Sequence, residues 1–150
     1  MNKISIIVPC YNEEKSLPLF YQELMKNINL FENVDFEFVF VNDGSQDSTL
    51  TYLKDLAKED LRVKYISFSR NFGKESAIFA GLENATGDFI TIMDADLQDP
   101  PSLLLEMYKS VTEEDFDAVR NTPCQSQRRT YYPQFFCQTF LQNHQQNVQN

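Results

Sequence analysis

The stretch "FITIMDADLQDPP", Phe89 to Pro101, decides how this chain is read. A short apolar, β-rich run ends at Met93, and Asp94, Asp96 and Asp99 follow within six residues. Pro100 and Pro101 then open a helical stripe of Leu103, Leu104 and Met107. A solvated turn would account for the acids alone. A buried strand that delivers carboxylates at its end accounts for the apolar run as well. Asp94 and Asp96 are two residues apart, so on extended backbone both point to one side. They can then share one divalent ion, directly or through water. Mg²⁺ and Mn²⁺ prefer carboxylate, water and phosphate oxygens. The single histidine, His144, rules out a His-rich zinc site. Asp99 is placed to cap the next helix, and Gln98 to reach a ligand.

The pattern extends outward from this strand. "ISIIVP" (Ile4 to Pro9) is short and apolar on both faces, as a strand of a covered parallel sheet should be. "FEFVFV" (Phe36 to Val41) and "VKYISF" (Val63 to Phe68) read the same way. Between them Leu17, Phe20, Leu24 and Ile28 recur at helical spacing, with Tyr21 alongside, Ser16 as a cap and Pro18 in the first turn. Leu50, Leu53, Leu56 and Ala57 make a second stripe, and Ala77, Ile78, Gly81, Leu82 and Ala85 a third. "DAV" (Asp117 to Val119) begins a fifth strand. The order βαβαβαβ predicts an α/β fold, a mostly parallel sheet with helices on both faces. Ligands of such sheets gather beyond the carboxyl ends of the strands.

Four strand ends therefore carry the functional argument. "PCYNEE" brings Pro9, Tyr11, Asn12 and Glu13, residues able to flank a planar ring and to bond sugar or base edges. An ordinary strand-to-helix turn would use the same residues. "VNDGSQDST" leaves Asp43 facing the crevice, Gly44 free for a tight turn, and Ser45, Asp47 and Ser48 as local caps. "SRNFGKESA" supplies Arg70 and Lys74 around Gly73, a loop suited to a diphosphate or to salt bridges with its neighbours. The fourth end is the acidic stretch itself. Neither G-x-G-x-x-G nor G-x-x-x-x-G-K-[ST] occurs among the four glycines, which makes a hydride-transfer enzyme and a P-loop phosphatase poor fits. A nucleotidyltransferase would need a Gly-rich basic loop after the first strand, and a receiver-like domain would cluster its acids at other strands.

Composition sets the remaining bounds. A chain of 150 residues with 42% apolar content forms one domain with a real core. A net charge of -9 argues against nucleic acid as a partner. Three cysteines, Cys10, Cys124 and Cys137, form neither a disulfide framework nor a zinc pattern, so a cytoplasmic, reducing location is expected. No apolar run of ~18 residues is present to span a membrane. After Val119 the character changes. No Asp or Glu occurs from Ala118 to Asn150, Gln and Asn accumulate, and Pro133 interrupts the aromatic stripe of Tyr131, Tyr132, Phe135, Phe136 and Phe140. Residues 120–150 read either as an amphipathic helix with a ragged, partly disordered tail or as sequence foreign to the fold, left by truncation or a frame change. Exposed aromatics and an open sheet edge are features that drive homo-oligomers.

The motifs "IVPCYNEE", "VNDGSQDST", "SRNFGKESA" and "DADLQDPP", in this order over residues 1 to about 119, resemble the family 2 glycosyltransferases of GT-A fold. "DLQDPP" is similar to the branch that loads sugars onto polyprenyl phosphates, which includes dolichyl-phosphate mannose synthase and bacterial undecaprenyl-phosphate glycosyltransferases. The resemblance implies a nucleotide-sugar-binding half in residues 1–119. It implies a UDP- or GDP-sugar donor, Mg²⁺ or Mn²⁺, a polyprenyl phosphate acceptor, and a full-length relative at the cytoplasmic face of the membrane. Pro9, Tyr11, Asn12 and Glu13 would line the nucleotide pocket, and Asp43 would read the base. Arg70 and Lys74 would stand beside the nucleotide, and Asp94 would hold the ribose or the metal shell. Asp96 would be the principal metal ligand and Gln98 would lie beside the sugar or acceptor phosphate. Family members continue with an acceptor-side acid and a membrane-contacting helix that this chain does not match. A catalytically inactive nucleotide-sugar-binding fragment is the competing expectation.

Overall fold

The computed structural model describes residues 1–98, 100–113, 118–120 and 139–142, the last two stretches as backbone. The chain alternates β1 (Asn2–Cys10), α1 (Leu17–Ile28), β2 (Val34–Asn42), α2 (Thr49–Glu59), β3 (Val63–Ser67), α3 (Lys74–Asn84) and β4 (Phe89–Ile92). A single 3-10 turn, Pro101–Leu103, leads into α4 (Leu104–Glu113), and β5 (Ala118–Arg120) and β6 (Thr139–Gln142) complete the described elements. The sheet order is β3-β2-β1-β4-β6-β5. β1 lies parallel to both β2 and β4, and β2 is parallel to β3. β6 runs antiparallel between β4 and β5. Four residues of the segment read from its composition as a tail are thus an inner strand of the sheet. Asp99, Asp117, Cys124, Cys137, His144 and the aromatics Tyr131, Tyr132, Phe135 and Phe136 lie outside the described residues.

The strands are covered on both faces because their alternate side chains feed two separate cores. Ile4, Ile6 and Val8 of β1 and Phe36, Phe38 and Phe40 of β2 pack with Leu17, Phe20 and Leu24 of α1, Leu53 of α2 and Leu104 of α4. Ile7, Val39, Val41, Ile90 and Ile92 point the other way, onto Ala77 and Ile78 of α3. Phe20, Phe38 and Phe40 are fully buried, and each such side chain gains about 1.5–3 kcal/mol by leaving water. Right-handed crossovers explain the layering. The chain steps outward from β1 to β2 to β3, which puts α1 and α2 on one face. It then reverses to reach β4 on the far side of β1, which puts α3 on the opposite face. Gly81 lets α3 approach the sheet closely, since a Cβ there would lie 2.3 Å from the Ile7 side chain.

Strand order reverses between β1 and β4. The carboxyl ends of these two strands diverge into different connections and leave a crevice, the switch point at which open α/β sheets bind ligands. All four parallel strands end on this side. At the opposite end of the sheet a buried acid, Glu37, is fully satisfied: Ser5 Oγ donates to it at 2.5 Å, Thr86 Oγ1 at 2.9 Å and Lys64 Nζ at 2.9 Å. Lys3 Nζ adds a second ammonium at 3.2 Å. These bonds overcome burial and hold the Glu37 carboxyl down at about 2.

Candidate functional site

The loops after β1 and β2 are fastened to each other by their own motif residues. Asn12 N–H donates to Ser45 Oγ at 2.9 Å, and Gln46 N–H donates back to Asn12 Oδ1 at 2.9 Å. Glu13 N–H reaches Thr49 Oγ1 at 2.8 Å, Glu14 N–H reaches Asp47 Oδ2 at 3.1 Å, and Ser48 N–H reaches Glu14 Oε2 at 2.9 Å. Asn12 sits at φ 55°, a left-handed conformation that asparagine tolerates better than most residues. "YNEE" and "SQDST" are therefore a reciprocal hydrogen-bond zipper that sets the crevice wall. The α2 cap comes from Asp47, whose Oδ1 accepts from Thr49 N–H at 2.9 Å, while Ser48 at the cap position makes no side-chain cap bond. Ser16 likewise does not cap α1; its hydroxyl turns back to Glu13.

Asp43 is 3% exposed at the end of β2. Its two oxygens accept the backbone N–H of Phe72 at 2.7 Å and of Gly73 at 3.0 Å. The carboxylate thus anchors the loop after β3 across the sheet edge. Gly44 makes the approach possible: it adopts φ +67°, and a Cβ there would stand 2.2 Å from the Arg70 carbonyl carbon. The anchored loop leads directly into α3. Arg70 places its guanidinium over the Phe72 ring, 4.7 Å from the centroid. Lys74 turns inward, and its Nζ lies 2.7 Å from Asp94 Oδ2.

Asp94 and Asp96 meet at the crevice by a different route from the one expected. The ladder of β4 ends at Ile92, and Ala95 and Asp96 form a turn followed by Leu97 at φ 61°. The turn, not the alternation of an extended strand, brings both acids to one wall. Asp96 is exposed and accepts Gln98 N–H at 3.1 Å. Among the described residues no three His, Cys, Asp or Glu side chains form a metal cage. Two hard carboxylates still fit Mg²⁺ or Mn²⁺, which ordinarily take one or two protein carboxylates and complete their shell with phosphate and water.

The resulting crevice has a volume of about 370 Å³ and is lined by Pro9, Cys10, Tyr11, Glu13, Asp43, Asn71, Gly73, Lys74, Ala77, Asp94, Ala95 and Asp96. That volume lies within the range of small-molecule sites. Tyr11 is 46% exposed, which leaves a ring face free to stack. Asn12, Arg70 and Gln98, expected at the site, are not among the lining residues. Asn12 is a strut between loops, and Arg70 is exposed and stacked on Phe72. Cys10, Asn71 and Ala77 line the crevice without having been singled out from sequence. Strand alternation around Pro9 carried the only signal for Cys10. Burial pushes the Cys10 thiol well above its usual range, with Glu13 and Asp94 adding to the shift. It is a protonated, inert thiol, not a nucleophile.

A crevice at the switch point of a parallel α/β sheet, with an aromatic at its rim and paired acids on one wall, stands where Rossmann-like scaffolds bind their ligands. The chain matches the sequence profile of "Glycosyl transferase family 2" over residues 5–148, and it belongs to that family. Among curated relatives, it is 49% identical over 98 residues to the prophage bactoprenol glucosyl transferase homolog of Escherichia coli K12, covering 65% of this chain and 32% of that protein. It is 48% identical over 101 residues to the bactoprenol glucosyl transferase of Shigella phage SfX, again covering 65% and 32%. The chain thus spans about a third of the length of these relatives. The mannosyltransferase PcManGT of Pyrobaculum calidifontis, solved with GDP-Man and Mn2+, superposes with a TM-score of 0.63 at 27% identity, over 79% of this chain and 35% of that one. TarS of S. aureus in complex with UDP-GlcNAc gives 0.64 at 27% identity, over 83% and 37%. The α/β architecture with helices on both faces is therefore that of GT-A glycosyltransferases. No helix among the described residues is long and apolar enough to cross a membrane.

Proposed function

We propose that residues 1–119 form the donor-binding half of an inverting glycosyltransferase that moves a sugar from a UDP- or GDP-sugar to a polyprenyl phosphate. The observation that carries this reading is the convergence of the segments after β1, β2, β3 and β4 on one crevice at the switch point. Relatives named for bactoprenol support the acceptor class, and solved neighbours holding GDP-Man or UDP-GlcNAc support the donor class.

Tyr11 flanks the base at the crevice mouth, with Pro9 and Glu13 on the wall beside it. Asn12 and Asp43 serve the pocket by fixing the loops that form it. Lys74 meets the diphosphate from the α3 side, where the helix N-terminus adds partial positive charge, while Arg70 stays stacked on Phe72, outside the crevice lining. Asp94 and Asp96 would hold a divalent ion, which when bound supplies charge neutralisation to the departing nucleoside diphosphate. Gln98, whose N–H bonds Asp96, would serve beside the sugar or acceptor phosphate. A lipid phosphate is already anionic and needs little help from a general base. The residues' contribution is thus positioning and electrostatics, and in-line attack inverts the anomeric centre. Calorimetry with UDP and GDP, with and without Mn²⁺, tests the donor assignment. Metal-dependent binding that Asp96→Asn abolishes is expected, and equal binding by Asp96→Asn would overturn it. The crevice residues are all donor-side candidates, which leaves a second reading, a module that binds donor without turnover. Transfer of radiolabelled sugar to undecaprenyl phosphate in detergent separates the two.

A further inference from the structure

We propose that Lys74 is a resident counter-ion that pairs with Asp94 and gives it up when a nucleoside diphosphate enters. The inference rests on the proposed donor and metal site and assigns a step to it. The crevice lining carries four carboxylates, Glu13, Asp43, Asp94 and Asp96, and one ammonium, that of Lys74. This ammonium makes a 2.7 Å ion pair with Asp94, one of the two acids on the wall suited to a divalent ion. A metal that uses Asp94 must compete with it.

The contact is built to exchange. Lys74 is the first residue of α3, and the amide just before it, that of Gly73, is pinned by buried Asp43. Backbone movement is therefore resisted, and the long Lys74 side chain is the part free to move. The side chains of Lys74 and Asp94 are 47% and 27% exposed, so the pair is solvated and weak. A strongly anionic diphosphate on the α3 side draws the ammonium away from Asp94. Donor entry and the freeing of Asp94 are then one event, and nucleotide binding raises metal affinity beyond what the added phosphate oxygens provide. Arg70 cannot take this part from its stacked position over Phe72.

The experiment measures Mn²⁺ binding to the full chain by electron paramagnetic resonance, alone and with saturating UDP or GDP. Lys74→Gln is expected to tighten binding of Mn²⁺ alone by about three- to fivefold, the worth of one exposed ion pair. It should also shrink the ratio of affinities with and without nucleotide by a similar factor. Lys74→Arg, which keeps the charge, should return Mn²⁺ affinity towards the wild-type value. Arg70→Gln removes the same charge from the same loop without touching Asp94 and should change it by less than twofold. An unchanged Mn²⁺ affinity in Lys74→Gln, or equal effects of Lys74→Gln and Arg70→Gln, would overturn the proposal while leaving the donor site intact. Failure of every protein to bind either Mn²⁺ or nucleotide would overturn the donor site and this inference together.

Discussion

Asp43 gives the sharpest test of how the site is assembled. Its carboxylate accepts two backbone N–H groups, from Phe72 at 2.7 Å and Gly73 at 3.0 Å, from a position 3% exposed. Hydrogen bonds to a charged acceptor contribute about 1.5–3 kcal/mol each in buried settings. Phe72 is half exposed, so water can partly replace the lost acceptor and the lower end applies. Asp43→Ala should then destabilise the loop by about 3 kcal/mol, which is on the order of a hundredfold in its opening equilibrium. Asp43→Asn keeps the shape and one acceptor but turns an amide N–H₂ towards the other backbone donor. Its effect should be about half as large in free energy, on the order of tenfold. Native-state hydrogen exchange reads this directly at the Phe72 and Gly73 amides. The measurement also separates two roles for the residue. If Asp43 acts only by reading the base, its substitution weakens nucleotide binding and leaves both amides as protected as before. Protection within twofold of wild type in Asp43→Ala would refute the anchoring argument.

Two further outcomes follow from backbone and buried charge. Gly44→Ala combines a strained φ of +67° with a Cβ placed 2.2 Å from Arg70 backbone, and should cost about 3 kcal/mol or more; an unchanged urea midpoint would contradict the close approach. Glu37 titrates at about 2 in the folded chain against an ordinary 4.5, so its stabilisation is complete above about pH 5 and is lost as pH falls towards 2. The full difference is on the order of 3 kcal/mol, and Glu37→Gln should flatten the acid limb of stability over that interval; an acid limb as steep as wild type would show that other carboxylates carry it.

The sheet was legible because its signals are local and periodic. Ile4 to Val8 and Phe36 to Val41 are apolar on both faces and are buried on both faces, and Leu17, Phe20, Leu24 and Ile28 share one helix side in sequence and in space. Parallel topology then forces the four strand ends together, which predicts Tyr11, Asp43, Arg70 and Asp96 at one edge; Tyr11, Asp43 and Asp96 line the crevice there, and Arg70 stacks on Phe72 outside its lining. What sequence could not give is the partner of each polar group. Asn12, Glu14 and Asp47 bond across separations of 33 and 34 residues, and no periodicity encodes such pairs, so they read as ligands or caps. Glu37 was hidden in an apolar strand because Ser5, Lys64 and Thr86 come from three other segments. β6 was hidden for a compositional reason. Thr139–Gln142 is flanked by Gln and Asn, and the strand is specified by the open edge of β4 more than by its own propensity.

The arrangement has one electrostatic consequence for the proposed donor. Four carboxylates and one ammonium face the crevice, in a chain of net charge -9. A diphosphate brings at least two further negative charges, and like charges a few ångströms apart at a partly solvated surface oppose each other by about 1–4 kcal/mol per pair. A single lysine cannot offset that. Either the site binds only neutral parts of a nucleotide, or a divalent cation enters with the donor and reverses the local field. Asp94 and Asp96 are placed for the second case, and the partnership of Asp43 with backbone amides removes one acid from the repulsion. The acidity that looks ill-suited to a phosphate ligand thus becomes a reason for metal dependence. Nucleotide binding without metal should be very weak and should improve with ionic strength, because screening reduces the repulsion. A basic phosphate site would show the opposite salt dependence.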